Sequence, residues 1–215
     1  MQDKVFGERD RAQPGHIAVI GFVETLSTYA YAYLEAADAL VENAIASHKQ
    51  DLFFFPILYN YRHAAEIILK DLILETEKLI ELEVRIGKLD ANLAREREDV
   101  MRNLFKNGHI LKALLDEFKA RFSKVSDESI PDDITEAIEK LHGVDPNGEH
   151  FRYPFSRSYE YYFPVQTHFD LISIRESVSR KLFYLLFGCG DWLAHEIDLC
   201  REHIAGLETR EPGSG

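Results

Sequence analysis

Apolar residues recur at three- and four-residue spacings along most of this chain, which is the pattern of amphipathic α-helices. The successive patterns cover residues 16–46, 53–86, 109–122, 132–142 and 170–205. The second of these patterns is clearest as far as Lys70. Proline and glycine, which interrupt helices, number only 7 and 12 among 215 residues. The sequence therefore predicts a single domain that is almost entirely α-helical.

A seven-residue apolar repeat continues from the second pattern. Its five members are Leu72, Leu79, Ile86, Leu93 and Val100. Sustained heptads favour either a helical arm over about residues 74–106 or the seam of a dimer, because the repeat keeps one apolar stripe on one side of a helix. Two surface helices that pack on the core, divided at Gly87, explain the repeat equally well.

The ends and the cysteine content of the chain indicate an intracellular protein. Residues 1–15 are polar and lack the apolar stretch of a signal peptide, so we expect a disordered tail there, and another over residues 208–215. No stretch approaches the ~18 consecutive apolar residues of a transmembrane helix. Two cysteines are too few for a disulfide-rich secreted fold. We therefore expect a cytoplasmic domain over residues 16–207 that does not enter a membrane.

The net charge of −12 limits the class of partner. A protein that binds duplex DNA regardless of sequence needs an extended basic face to neutralise phosphates. The excess of acidic residues disfavours that class of function. A basic site, if present, has to be a local pocket.

The clearest local signal is a polar stripe on the second helix. At about 100° per residue, the members of the stripe share one arc of the helix: Tyr59, Arg62, His63, Glu66 and Lys70. One interpretation is a solvated face held by weak i,i+4 ion pairs. The other is the polar wall of a pocket that the irregular segment 151–165 covers.

That irregular segment places arginines among aromatic residues. Arg152 is followed directly by Tyr153, and Arg157 lies a few residues further on. Guanidinium groups bind anions and stack on bases, so the segment is suited to binding RNA or a nucleotide. It is equally consistent with a structural plug in which an arginine pairs with Glu66.

Metal and cofactor sites find no support in the sequence. Cys189, His195, Cys200 and His203 resemble zinc ligands, but on one helix the two cysteines would lie about 16 Å apart along the axis, and His195 would point elsewhere. There is no glycine-rich phosphate loop, no His-Glu-x-x-His and no nucleophile elbow. We therefore expect neither a metal nor a cofactor.

Three motifs resemble those of bacterial HEPN-like proteins. Residues 61–70 (YRHAAEIILK) resemble their YRHxxELxLK helix, residues 107–115 (NGHILKALL) resemble their GHDLxxLL helix start, and residues 151–154 (FRYP) resemble their FRYP loop. The order and rough spacing agree over about residues 52–205. Two features depart from the family pattern: Ile110 replaces the usual Asp, and the 74–106 arm looks like an insertion.

The resemblance implies a helical up-and-down bundle, here with a long helical arm insertion, that is usually dimeric and often encoded in prokaryotic toxin–antitoxin or phage-defence systems. Some relatives are metal-independent ribonucleases with an Arg-x4-6-His motif, in which His moves a proton and Arg stabilises phosphate charge. Arg102 and His109 have this spacing, as do Arg11 and His16. Other relatives are non-catalytic binding or scaffold domains.

These observations define a set of candidate site residues. The catalytic candidates are His109, His63 and Arg102, and the substrate-binding candidates are Arg62, Glu66, Lys70, Arg152 and Tyr153. In one hypothesis the chain is a homodimer that binds RNA or nucleotides, or cleaves RNA without a metal. In the other it is a non-catalytic dimeric scaffold, or the partner subunit of a larger defence effector, and His109 only closes the turn at a helix start.

Overall fold

A computed structural model describes residues 18 and 25–209 of this protein, and that part of the chain is all-α. The helices are α1 (Leu26–Ala46), α2 (Gln50–Arg85), α3 (Arg97–Asn107), α4 (Leu111–Phe122), α5 (Asp132–Val144), α6 (Leu171–Tyr184) and α7 (Gly190–Glu208). The predicted all-α bundle is confirmed. Within residues 25–209, no helix is long and apolar enough to cross a membrane. The tail expected over residues 1–15, residues 210–215 of the other expected tail and the Arg11–His16 pair lie outside the described residues.

A hairpin of α1 and α2 forms the centre of the bundle. The Thr25 hydroxyl accepts a hydrogen bond from the Thr28 amide at 3.1 Å, which satisfies one of the free N–H groups at the start of α1. The buried stripe of α1 consists of Ala30, Leu34, Ala37, Val41 and Ala44. These residues recur every three or four positions, so they form one face that packs against α2.

α2 is enclosed by the rest of the fold. It contacts α1 and each of the helices from α3 to α7, and it is buried over most of its length from Ile57 onward. A helix with neighbours on several sides also buries its polar residues. Arg62, Glu66 and Lys70 are accordingly only 4, 5 and 4 % exposed. The interpretation of the polar stripe as a solvated face is therefore wrong for these three residues.

The apolar heptad residues lie inside the monomer. The core includes three of the five: Leu72, Leu79 and Val100. α2 ends at Arg85, and Gly87 (φ +75°) starts the turn that leads back toward α3. The 74–106 segment is thus the end of α2, a turn and α3, folded against the bundle. This matches the alternative of internal packing, and the three core residues do not form an outer seam.

The last helical pattern is one run in which a π-helical turn, Leu185–Cys189, joins α6 to α7. Asp170 caps α6, because its Oδ1 accepts a hydrogen bond from the Ile172 amide at 3.0 Å. Two glycines inside this helical run, Gly188 and Gly190, are a sequence pattern that predicts close helix packing or a kink. A Cβ at either position would meet no atom within 4 Å, so close packing does not explain them. They coincide instead with the π turn, a local interruption of the α-helical pattern.

Candidate acid–base site at Glu66 and His109

Glu66 is the centre of a buried charge cluster on α2. Its Oε1 accepts a hydrogen bond from Lys70 Nζ at 2.7 Å, and its Oε2 accepts one from Arg62 Nη1 at 3.2 Å. Both partners are i,i+4 neighbours, so the helix itself brings the three side chains together. His109 lies two residues before the start of α4, and its Nδ1 is 3.0 Å from the same Oε1. Glu66 thus binds three basic side chains.

The charge state of Glu66 determines which ring nitrogen of His109 is protonated. Burial disfavours the carboxylate, but the hydrogen bond and charge of Lys70, and then those of His109, outweigh it and hold the pKa of Glu66 below its usual value. An ionised carboxylate only accepts hydrogen bonds, so His109 Nδ1 must carry a proton. The other nitrogen, Nε2, then remains for proton exchange. The His109 side chain is 60 % exposed, so solvent and ligands can reach it.

Arg62 joins three segments of the chain at this site. Its Nε donates to the Asp145 carbonyl at 3.1 Å, and its Nη2 donates to the His109 carbonyl at 2.5 Å. Its Nη1 donates to Glu66, and its Nε also lies 3.4 Å from the Asp145 carboxylate. Because these donors face protein acceptors, the geometry favours a positioning role for Arg62 over the substrate-binding role that we predicted. Lys70 is similarly enclosed, with its Nζ 5.1 Å from the centroid of the Phe105 ring.

The turn between α5 and the aromatic segment closes the site, and we did not predict its residues as part of it. Asp145 is fully buried, and its Oδ1 accepts hydrogen bonds from the Glu149 and His150 amides at 2.8 and 3.1 Å. Gly148 has φ +75°, and a Cβ there would lie 2.9 Å from Arg62 Nη1. Both the conformation and the close approach require glycine. Asp-Pro-Asn-Gly at residues 145–148 is a turn signal in the sequence, two residues before the FRYP motif, but it does not show that the turn meets Arg62.

An open cleft of about 290 Å³ lies over the cluster. Its lining includes Tyr59, His63, His109, Glu149 and Arg152. Arg152 is exposed and donates from Nε to the Gly148 carbonyl at 2.5 Å. Among the described residues no carboxylate lies within ion-pair distance of Arg152, so the pairing with Glu66 expected for a structural plug does not form. The cleft therefore contains an accessible cation beside His109.

His63 lines the same cleft from α2. Its ring meets Tyr33 edge-on, with centroids 4.5 Å apart, and stacks on Tyr59 at 5.6 Å. Burial holds the pKa of His63 below its usual value, and the charges of Lys70 and Arg62 lower it further, although Glu66 acts in the opposite direction. His63 is therefore neutral at neutral pH, which suits a base better than an anion-binding cation.

Two predicted site residues are not part of the cluster. Arg102 pairs with Asp99 at 2.7 Å on the exposed side of α3, and it does not line the cleft. The Arg102–His109 spacing does not bring the two together because α3 ends at Asn107, so they belong to different elements. Tyr153 is 57 % exposed and lines a neighbouring groove.

The four residues that resemble zinc ligands in the sequence do not line the cleft either. Cys189 and Cys200 are free thiols, and burial raises the pKa of Cys189 to about 11. In residues 18 and 25–209, no three His, Cys, Asp or Glu side chains converge in an arrangement that could hold a metal ion.

Comparison of the chain with protein-family models, with curated proteins and with solved structures finds no match. The HEPN-like resemblance therefore remains an expectation.

Proposed function

We propose that this chain is an RNA-acting domain that cleaves phosphodiester bonds without a metal, with His109 as its acid–base group. The proposal is carried by the Glu66–His109 pair, in which a buried carboxylate holds one ring nitrogen of an exposed histidine that lines the same cleft as Arg152. A histidine oriented by a third group is a recurring arrangement for proton transfer. The HEPN-like resemblance supports the same class of activity, in a toxin or phage-defence context.

In the proposed reaction the RNA 2′-hydroxyl attacks the adjacent phosphorus and the 5′-oxygen leaves, which gives a 2′,3′-cyclic phosphate and a 5′-hydroxyl end. A neutral histidine takes the proton of the 2′-hydroxyl, and an imidazolium supplies one to the leaving oxygen. His109 is the first choice for a transfer because its side chain is exposed and its Nδ1 is held by Glu66, and the neutral His63 is the second. Arg152 offsets the charge that develops on the phosphate.

Substitution of His109 tests this proposal. One acid–base contact contributes about 10²–10⁴-fold to rate, so His109→Ala should cleave single-stranded RNA at least about 100-fold more slowly than the wild type, in EDTA, while remaining folded. His203→Ala, which removes an exposed histidine of α7 outside the cleft, should cleave normally. The enzymatic proposal is wrong if the wild type cleaves no RNA and if overexpression of the wild type and of His109→Ala is equally harmless to cells.

A different observation favours the non-catalytic alternative. Arg62, Glu66 and Lys70 satisfy one another within the fold. The cluster therefore also makes sense as a clamp that holds His109 and the 145–148 turn against α2. In this alternative the domain is a scaffold that binds an antitoxin or a larger effector. His109→Ala would then leave RNA untouched, as the wild type does, and would change only the binding of the partner.

The expected homodimer now rests on the resemblance alone. Leu72, Leu79 and Val100 belong to the core of one chain, so the heptads no longer supply a seam. A stable two-fold contact would bury over about 1,000 Å² in total. Light scattering at micromolar concentration should report twice the 24.8 kDa of one chain, and the mass of a monomer would count against the dimer.

A further inference from the structure

Beside the cleft, residues 153–162 form a small hairpin. A β-bridge pairs Phe155 with Tyr161. The Ser156 amide donates to the Glu160 carbonyl at 2.9 Å, and the Tyr159 amide donates to the Ser156 carbonyl at 3.0 Å. These backbone hydrogen bonds close the turn on itself. We call residues 153–162 the aromatic hairpin.

The aromatic hairpin exposes four of its five aromatic rings to solvent. Tyr159, Tyr161, Tyr153 and Phe155 are 80, 67, 57 and 40 % exposed. Phe155 stacks on Tyr159 with ring centroids 5.6 Å apart, so two of these rings already form a layered surface. Single exposed apolar residues are ordinary, but a contiguous exposed cluster marks a binding surface. Tyr159 also has φ +63°, a conformation that residues with a side chain rarely adopt.

The hairpin adjoins the acid–base site. A groove of about 560 Å³ runs along it and shares Arg152 and Glu149 with the cleft over Glu66. Arg157, whose side chain is 93 % exposed, lines the same groove. A ligand that lies on the hairpin rings therefore passes Arg152 on its way to His109.

A ligand of this surface must offer flat apolar faces next to negative charge. The bases and phosphates of single-stranded RNA do so, whereas a duplex hides the faces of its bases. We propose that the aromatic hairpin is a base-stacking platform that binds single-stranded RNA next to the phosphate presented to His109. This inference rests on the proposed function for the class of substrate.

A binding experiment tests the platform. The probe is a fluorescein-labelled single-stranded RNA of about 12 nucleotides, and the protein carries His109→Ala to prevent turnover. Loss of one base–aromatic stack weakens binding about 5–150-fold, so adding Tyr159→Ala and Tyr161→Ala should weaken it at least 10-fold on that scale. Tyr161→Phe keeps the stacking face and should bind normally. Tyr184→Ala, which removes a 60 % exposed ring of α6 outside the aromatic hairpin, is the matched control.

The salt dependence separates stacking from general attraction of phosphates. Arg152 and Arg157 are the accessible arginines of the groove, and two phosphate contacts give a slope of log K against log salt of about −1.4 for a single strand. Duplex RNA of the same sequence should bind at least about 10-fold more weakly. A slope near −4, or equal binding of duplex and single strand, would overturn the stacking platform.

Binding and cleavage together distinguish this proposal from the proposed function. If the platform exists but the chain is not an enzyme, the wild type binds single-stranded RNA without cleaving it, and the hairpin variants lose that binding. If both are right, Tyr159→Ala with Tyr161→Ala in the otherwise wild-type chain raises KM about 10-fold and leaves kcat unchanged. The platform is refuted if the hairpin variants bind or cleave as the wild type does. Binding of peptides but of no RNA refutes it as well.

Discussion

Two buried glutamates of α2, Glu66 and Glu77, organise charge clusters that look alike but differ in the donors that they bind. Glu77 is 8 % exposed and accepts hydrogen bonds from Arg121 Nε at 2.5 Å and from Arg95 Nη2 at 2.6 Å. Arg121 also donates to the Leu93 carbonyl at 2.6 Å, which fastens the turn after α2. The Glu66 cluster fastens His109 and the 145–148 turn in the same manner. Both clusters therefore position chain segments against α2.

The difference lies in the chemistry of the donors. The donors around Glu77 are guanidinium groups, which stay charged at any ordinary pH and exchange no proton. One donor around Glu66 is the imidazole of His109, whose exposed side chain lines a cleft together with Arg152. Buried ion pairing alone thus does not identify a site. A site is indicated instead by a side chain that can exchange a proton and that solvent or a ligand can reach.

The largest effect should come from Glu66→Gln, which keeps the size of the side chain and removes its charge. Lys70 would then be buried without a counter-charge, while Arg62 would keep only the Asp145 carboxylate, and breaking a buried ion pair in this way costs about 3–5 kcal/mol. We expect urea denaturation to show a loss of that order in the free energy of unfolding, together with loss of RNA cleavage. Unchanged stability would show that the cluster does not hold the fold together.

Glu77→Gln should destabilise the fold somewhat less, by about 2–3 kcal/mol, because its partners retain contact with water. The side chains of Arg95 and Arg121 are 37 and 14 % exposed. RNA cleavage per folded molecule should stay at the wild-type level, because no proton carrier is involved. The contrast between the clusters would break down if cleavage fell while urea denaturation showed normal stability.

Gly148→Ala should have a smaller effect, a loss of about 1–2 kcal/mol, because a Cβ strains the positive φ. The same Cβ would also displace the Arg62 guanidinium, so cleavage should fall with stability. Gly143→Ala is the matched control, since that glycine lies in α5 with no atom within 4 Å of an added Cβ. Thermal melts should show the control unchanged or slightly more stable. Equal melts for the two variants would argue against the close packing of Gly148 on Arg62.

The smallest effect concerns Asp71, a carboxylate of α2 with no ion-pair partner in the described part of the chain. Burial, followed by the charge of Glu75, raises the pKa of Asp71 to about 6, with Lys78 acting in the opposite direction. The folded state then binds the proton more tightly than the unfolded state, so stability falls as pH rises through about 4–6. Asp71→Asn should stabilise the protein by about 1 kcal/mol at pH 7 and hardly at all at about pH 4. A stabilisation in thermal melts that is the same at both pH values would contradict this cause.

Features that depend on a few neighbouring residues were predictable from the sequence alone. The helices follow from three- and four-residue apolar spacing, and the Arg62–Glu66–Lys70 pairing follows from i,i+4 geometry, which is a property of a single helix. The Asp-Pro-Asn-Gly turn was visible for the same reason. Its role at the site was not, because that role depends on Asp145 and Gly148 reaching Arg62 from a distant part of the chain.

The tertiary structure alone decided which polar groups are buried and which of them meet. His109 and Glu66 are separated by 43 positions, and Asp145 and Arg62 by 83, and helical periodicity carries no information about such contacts. Arg102 and His109 are close in the sequence but lie in different elements. A fixed sequence separation places two residues together only when both belong to one helix or strand. An apolar repeat indicates that one face of a helix is shielded from water. It does not indicate whether the same chain or a second chain covers that face. In this protein the same chain covers Leu72, Leu79 and Val100, because α2 has neighbours on several sides.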